Sequence, residues 1–381
     1  MFHSSLLTSD SSLLPEIMSE ALQKAITLLS LIGLGLLLRS KFKHKEQTNG
    51  IKEMVLSVAL PATIFIALMK IDVDAKLIVV PALTLVFNFF MYFAAPLAFP
   101  FFGIEKDTPM GRTLVMLLPS LAPGLSCFPF IAEFLGQESV AMAALGDVGN
   151  KFFVLIFLYV VAMNMFLKNT KTEETRMGDK IKSLLLNLVQ EPINIIIISA
   201  AILLSFGVSF KTLPLIVQDV FDKTSAMMTP LVLIFIGVAV QLKQRKKRLI
   251  ASLLIFRAGL TMLFSAGMIA LLNITDPTMV LLATVIPLSS ASFWPFAHIS
   301  AFNSREDAQE IPKERRTFSV ELAVLVMAFS LPFSTMLILG ILSTGTFFAH
   351  TGTIAITGVI LLALGLLPTL FGRKMVRLSK A

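Results

Sequence analysis

The 381-residue sequence predicts an all-α integral membrane protein. The expected plan is two inverted five-helix repeats with crossed, broken fourth and ninth spans, plus one extra C-terminal span. Three observations predict it. The chain is 56% hydrophobic and only 15% charged, with a mean hydropathy of +0.84. Its apolar stretches approach the ~20 residues that cross a hydrocarbon core about 30 Å thick. Its two halves also echo each other, with proline-rich interruptions at corresponding positions.

A backbone facing lipid must satisfy its own polar groups, so long apolar runs mean helices. The short alternating strands of an outer-membrane barrel are absent from the sequence. Eleven spans are expected, near 21–40, 51–70, 77–102, 113–136, 139–167, 182–208, 226–242, 248–273, 278–303, 317–343 and 352–372. The segment 211–225 is moderately amphipathic and is expected to lie in the membrane interface. The first span is read as retained, because its basic cluster (Arg39, Lys41, Lys43, Lys45) follows the apolar run instead of preceding it.

Lysine and arginine set the orientation. Of the 32, 25 fall in alternate loops and the C-terminal tail, and only five on the other side. The bias places the N-terminus outside and the C-terminus in the cytoplasm of a multi-pass cell-membrane protein. The domains are then an extracytoplasmic segment (1–20), the first repeat (21–167), a cytoplasmic linker (168–181), the second repeat (182–343), and the extra span with its cytoplasmic tail (344–381). The remaining two cations, Lys151 and Arg257, lie inside predicted spans.

The same pattern excludes other classes. The net charge of +8 sits in short clusters between apolar runs, which are topology signals and not a nucleic-acid surface. A single cysteine, Cys127, leaves no intramolecular disulfide, and four scattered histidines offer no zinc-like spacing. No metal or cofactor is expected. An intramembrane hydrolase needs a nucleophile with a matched base, and no Gly-x-Ser-Gly or paired Ser/His pattern appears. The chain is therefore not expected to be an enzyme.

The internal echo runs at an offset of 166 to 169 residues. The stretch from Pro61 to Ala67 matches Pro230 to Gly237, and Ser126-Cys127-Phe128-Pro129-Phe130 matches Ser292-Phe293-Trp294-Pro295-Phe296. Pro119 and Pro287 also correspond. Five spans separate the partners, so the second copy is inverted, as in many secondary transporters. Spans four and nine carry Pro119, Pro123 and Pro129, and Pro287 and Pro295. Proline removes a backbone donor and clashes with the preceding turn, so both spans should break. Ala122, Gly124, Ser126, Ser289, Ser290 and Ser292 between them are small or carry hydroxyls, which permits close approach and can satisfy freed backbone groups. Discontinuous helices crossing at the midplane would present dipole ends and free carbonyls to a substrate or ion.

Ionisable groups inside a membrane are costly and face a cavity, the bundle interior or each other. Asp147 and Lys151 lie one helical turn apart on one face. They read either as an ion-binding carboxylate with its neutralising partner or as a static fastening pair. Arg257 corresponds to Asn88 at an offset of 169 residues. It could clamp a substrate carboxylate or cap carbonyls freed by a broken helix. His298 and Cys127, flanking the interruptions, read as packing residues.

These residues are similar to those of the auxin efflux carrier family of permeases, within the bile-acid, arsenite and related transporter group. The likeness covers roughly 21–343 and rests on Gly50 to Phe65, Gly124, Pro129, Glu133 to Gly136, Asp147 to Asn150, Pro230 to Gly237 and Pro287. It departs at Ala122-Pro123-Gly124, where the family often has Asn-Thr-Gly, and in the short central loop. The resemblance implies a secondary active transporter moving a small organic anion by alternating access, coupled to H⁺ or Na⁺. Asn150 joins the candidate binding residues on that ground. A bile-acid-type Na⁺ symporter and a non-transporting membrane receptor are the alternatives. The expected partners are the anion, the coupling ion and the lipid bilayer, and a homodimer is compatible with the sequence.

Overall fold

The computed structural model describes residues 20–42, 45–70, 79–170, 192–239 and 247–371, with positions 182, 186, 189 and 190. Most of the expected N-terminal segment, most of the 168–181 linker, and the end of the tail lie outside the described residues. The described residues hold helices and turns and no strand.

Among the described residues, six helices are long and apolar enough to cross a membrane: Glu46–Leu68 (α2), Val79–Phe102 (α3), Gln137–Thr170 (α6), Leu215–Ala239 (α8), Arg248–Leu271 (α9) and Val320–Ser343 (α12). Three shorter apolar helices join them: Glu20–Leu38 (α1), Pro192–Ser205 (α7) and Thr351–Phe371 (α13). The fourth and ninth predicted spans are each divided. One gives Pro109–Leu117 (α4) and Phe128–Phe134 (α5), the other Pro277–Val285 (α10) and Phe293–Ala308 (α11). Large side chains spaced four apart, Phe93, Leu97 and Phe101, are exposed along α3, the expected lipid-facing stripe of a multi-pass membrane protein.

Sequence explains the irregular turns. Pro61 has no N–H to donate, and the turn before it widens into a π-bulge over Val55–Ala59, with the Leu60 N–H bonded to the Val55 carbonyl. A second bulge, Phe153–Phe157, follows Lys151 in α6. His298 Nε2 lies 2.9 Å from the Val154 carbonyl within that bulge. Thr108, Asp276 and Ser319 cap α4, α10 and α12, each accepting from a backbone N–H three residues on. Of the segment 211–225, expected to lie in the interface, residues 215–225 form the first half of α8 and run into span seven. Phe221 stacks on Phe65 of α2 at 4.3 Å, which ties that half to the bundle.

Small residues set the closest helix contacts. A Cβ on Gly35 of α1 would collide with the backbone of Ile234 in α8, and one on Gly237 with that of Ile32. Gly149 lets α6 lie on the Pro81 carbonyl of α3. The extra helix α13 lies against α9 through Gly259, Gly358 and Gly365, so it buttresses the helix that carries Arg257. One apolar cluster joins α1, α2, α5, α7 and α8, and a second joins α3, α4, α11, α12 and parts of α6 and α9. Each divided span has one half in each cluster, α5 and α10 in the first and α4 and α11 in the second.

Candidate functional site: two hydrogen-bonded helix breaks and their cavity

The backbone is unwound at 118–122 between α4 and the short turn Pro123–Ser126, and again at 286–292 between α10 and α11. The two breaks bond to each other. The Ala122 N–H donates to the Ser290 carbonyl at 2.8 Å, the Ser290 N–H to Ser126 Oγ at 2.9 Å, and the Ser292 N–H to Ser120 Oγ at 3.0 Å. The Ala291 N–H finds Ser330 Oγ of α12 at 3.2 Å. Buried backbone groups must be paired, and three serine hydroxyls supply what the lost helical turns cannot.

Polar side chains from three helices hold the first break. Asn150 of α6 accepts from the Leu121 N–H at 3.1 Å and donates to the Leu121 carbonyl at 2.9 Å. Asn88 of α3 donates to the Pro119 carbonyl at 2.7 Å and to Asn150 Oδ1 at 3.2 Å. Arg257 of α9 donates to Leu118, Ser120 and Ser289 carbonyls at 2.8, 3.1 and 2.9 Å, and so ties both breaks together. All three side chains are buried. Of the two roles open for Arg257, this geometry is the carbonyl-capping one. Arg257 and Asn88 both donate to carbonyls of the same unwound segment.

Asp147 and Lys151 are buried together, with Lys151 Nζ 3.7 Å from Asp147 Oδ2. Asn150 also donates to Asp147 Oδ1 at 2.8 Å. The carboxylate is thereby linked through one amide to the first break. Cys127 Sγ lies 3.6 Å from the Val285 carbonyl, and the His298 ring meets Tyr159 edge-on, which fits the packing role expected of each.

A cavity of about 630 Å³ ends on this crossing. At the crossing it is lined by Asp147, Ala122, Pro123, Gly124, Ser290 and Ser292. Phe293, Trp294 and Phe296 of α11 line one wall, and Arg39, Thr48, Asn49 and Lys52 also line it. Lys52 Nζ sits 4.3 Å from the Phe293 ring centroid. Of the predicted site residues, Ser126, Asn88, Asn150 and Arg257 support the breaks from behind, and Ser289 lends its carbonyl to Arg257. Pro119 and Pro287 fall at the breaks themselves, while Pro129 and Pro295 open the helices that follow.

Sequence reasoning missed Arg39 and Lys52, which were counted only as topology signals, and the aromatic wall of α11. It also missed Ser120 and Ser330, whose hydroxyls complete the pairing of the breaks. The proline-flanked serines were a usable signal for Ser120, but nothing marks which face of α12 Ser330 occupies. The described residues contain no cluster of His, Cys, Asp or Glu suited to a metal ion. Compared with protein-family models and with curated proteins, the chain finds no match.

Proposed function

We propose that this chain is a secondary transporter of small organic anions, of the kind its resemblance to the auxin efflux carriers implies. The observation that carries the reading is the 630 Å³ cavity ending on two mutually bonded helix breaks. Two cations, Arg39 and Lys52, line it, and the N-terminus of α11 opens beside it at Ser292. Cations and a positive dipole end suit a carboxylate, while Phe293, Trp294 and Phe296 suit an apolar body. Asp147, which lines the cavity at the crossing, is the coupling group of this scheme, with Lys151 as its neutralising partner. The cavity mouth is the cytoplasmic one if the lysine and arginine bias sets orientation.

The inverted repeat belongs to the same proposal. Its support is the pattern of partners: α1 packs on α8 while α7 packs on α2, the exchange expected when spans one and six, and two and seven, are equivalent. Substrate-dependent flux in proteoliposomes tests the reading. Saturable uptake of an organic acid, lost when Gly124 is replaced by Leu, supports it. A folded protein that binds such acids without moving them is the non-transporting receptor instead.

A further inference from the structure

A second cavity, of about 370 Å³, is lined by residues further along the same helices that line the first. It is lined by Thr27, Thr63, Glu133, Gln137, Ser225 and Thr229, among others. On each of three elements the two cavities follow one another along the chain. Lys52, Leu56 and Leu60 of α2 line the first cavity and Thr63 the second. Pro123 to Leu125 line the first and Ala132 and Glu133 the second. On α8, Val238 and Phe235 line the first and Pro230 and Met228 the second. Leu60 and Thr63 are one helical turn apart, so the cavities are separated along α2 by only about 5 Å. Leu60, Phe128 and Val232, all fully buried, occupy that level in one apolar cluster.

We propose that this second cavity is the opposite mouth of the same permeation route, held shut by Lys24. The inference rests on the transport reading. One wall of the mouth is α1, α2 and α8, knit together by the Thr63–Ser225 hydroxyl contact at 2.9 Å and by the Gly35 and Gly237 backbone contacts. Thr63 spends its own hydrogen on the Ala59 carbonyl at 2.9 Å, so Ser225 donates. The other wall is α5 and the start of α6. Lys24 Nζ of α1 reaches across to the Glu133 carbonyl at 3.2 Å. This bond joins the last turn of α5 to the first wall.

The chemistry of the two mouths differs. The first offers Arg39 and Lys52 to an ionised carboxylate. The second offers acceptors, including Gln137 Oε1, which is buried without a hydrogen-bond partner among the described residues. It therefore takes the donor end of a permeant, a hydroxyl or a protonated carboxyl, as the route opens on that side.

The test uses the full chain with Cys127→Ser. In the Lys24→Cys, Glu133→Cys pair, a short bismaleimide should join the two walls and abolish organic-acid flux, while either single variant treated alike keeps it. A joined pair that still transports, or a pair that the reagent cannot join, overturns the proposal. A second readout needs no transport. Gln137→Cys should react faster with an impermeant maleimide when Lys24→Ala removes the latch, and an unchanged rate overturns the latch even if flux is present. Absence of flux in the parent with faster labelling would count against the transport reading and not against the latch.

Discussion

Asn150 treats Leu121 as a strand would, accepting from its N–H at 3.1 Å and donating to its carbonyl at 2.9 Å. The amide replaces both helical hydrogen bonds of a residue in the unwound segment, and it does so from a different span. Asn150→Ala should therefore strand two buried backbone groups and take one hydrogen bond from the Asp147 carboxylate, which keeps Lys151. Each unsatisfied buried group costs about 1–3 kcal/mol, so the variant should melt well below the parent in detergent. An unchanged melting point would mean that water or rearrangement already serves Leu121.

Arg257 separates two roles by experiment. Three carbonyls on both breaks receive its N–H groups. An ammonium cannot span them, so Arg257→Lys should lower thermal stability by roughly 2–4 kcal/mol and reduce flux at every substrate concentration. A substrate clamp would behave differently. Stability would be retained, and only the half-saturating concentration would rise.

The Asp147–Lys151 pair is tested by a double-mutant cycle. Lys151→Ala leaves a buried carboxylate without its cation and should destabilise by about 3–5 kcal/mol, whereas the Asp147→Asn, Lys151→Ala double variant should regain most of that. Asp147→Asn should keep the fold and lose ion-driven accumulation. Accumulation at the parent level by the double variant would make the pair a fastener.

The role of the extra helix is checked with two glycines of α9. A Cβ at Gly259 would strike the α13 backbone at Leu362 and Gly358, while one at Gly267 meets nothing within 4 Å. Gly259→Leu should detach α13 and lower the melting point. Gly267→Leu should leave it unchanged. Equal effects would show that α13 contributes nothing to holding α9.

The breaks were legible because proline has a local and unconditional effect. Pro119, Pro123 and Pro287 mark the unwound segments within a few residues, and the small residues between them marked where the segments could touch. Asp147 and Lys151 were legible through the cost of charge at membrane depth. Helix rotation was not. Lys52 and Arg39 looked like loop cations, since a sequence shows their depth but not that Lys52 on α2 and Arg39 just past α1 line a cavity. Ser330 was hidden for the same reason, one of four hydroxyls on an α12 whose apolar residues run around all sides. The joining of 211–225 to span seven was missed because its polar residues, among them Asp219, Asp222 and Lys223, suggested an interfacial surface.

Gly124 gives the sharpest link between cavity and function. It lines the cavity, and a Cβ there would approach Leu60 Cδ2 to 2.7 Å, the movable end of a side chain. Overpacking of this order costs about 1–3 kcal/mol, which leaves a folded protein. Gly124→Leu should therefore elute and melt like a native membrane protein while its cavity is filled.

The central claim is that the crossing of the two breaks is a transport site for an organic anion, and counterflow in proteoliposomes measures that directly. Vesicles preloaded with a panel of unlabelled small carboxylates should take up the labelled acid saturably with the wild-type chain. Uptake should be weakened by Lys52→Ala and absent with Gly124→Leu. Counterflow no greater than that of protein-free vesicles for every acid in the panel, from a chain that remains folded, would contradict it.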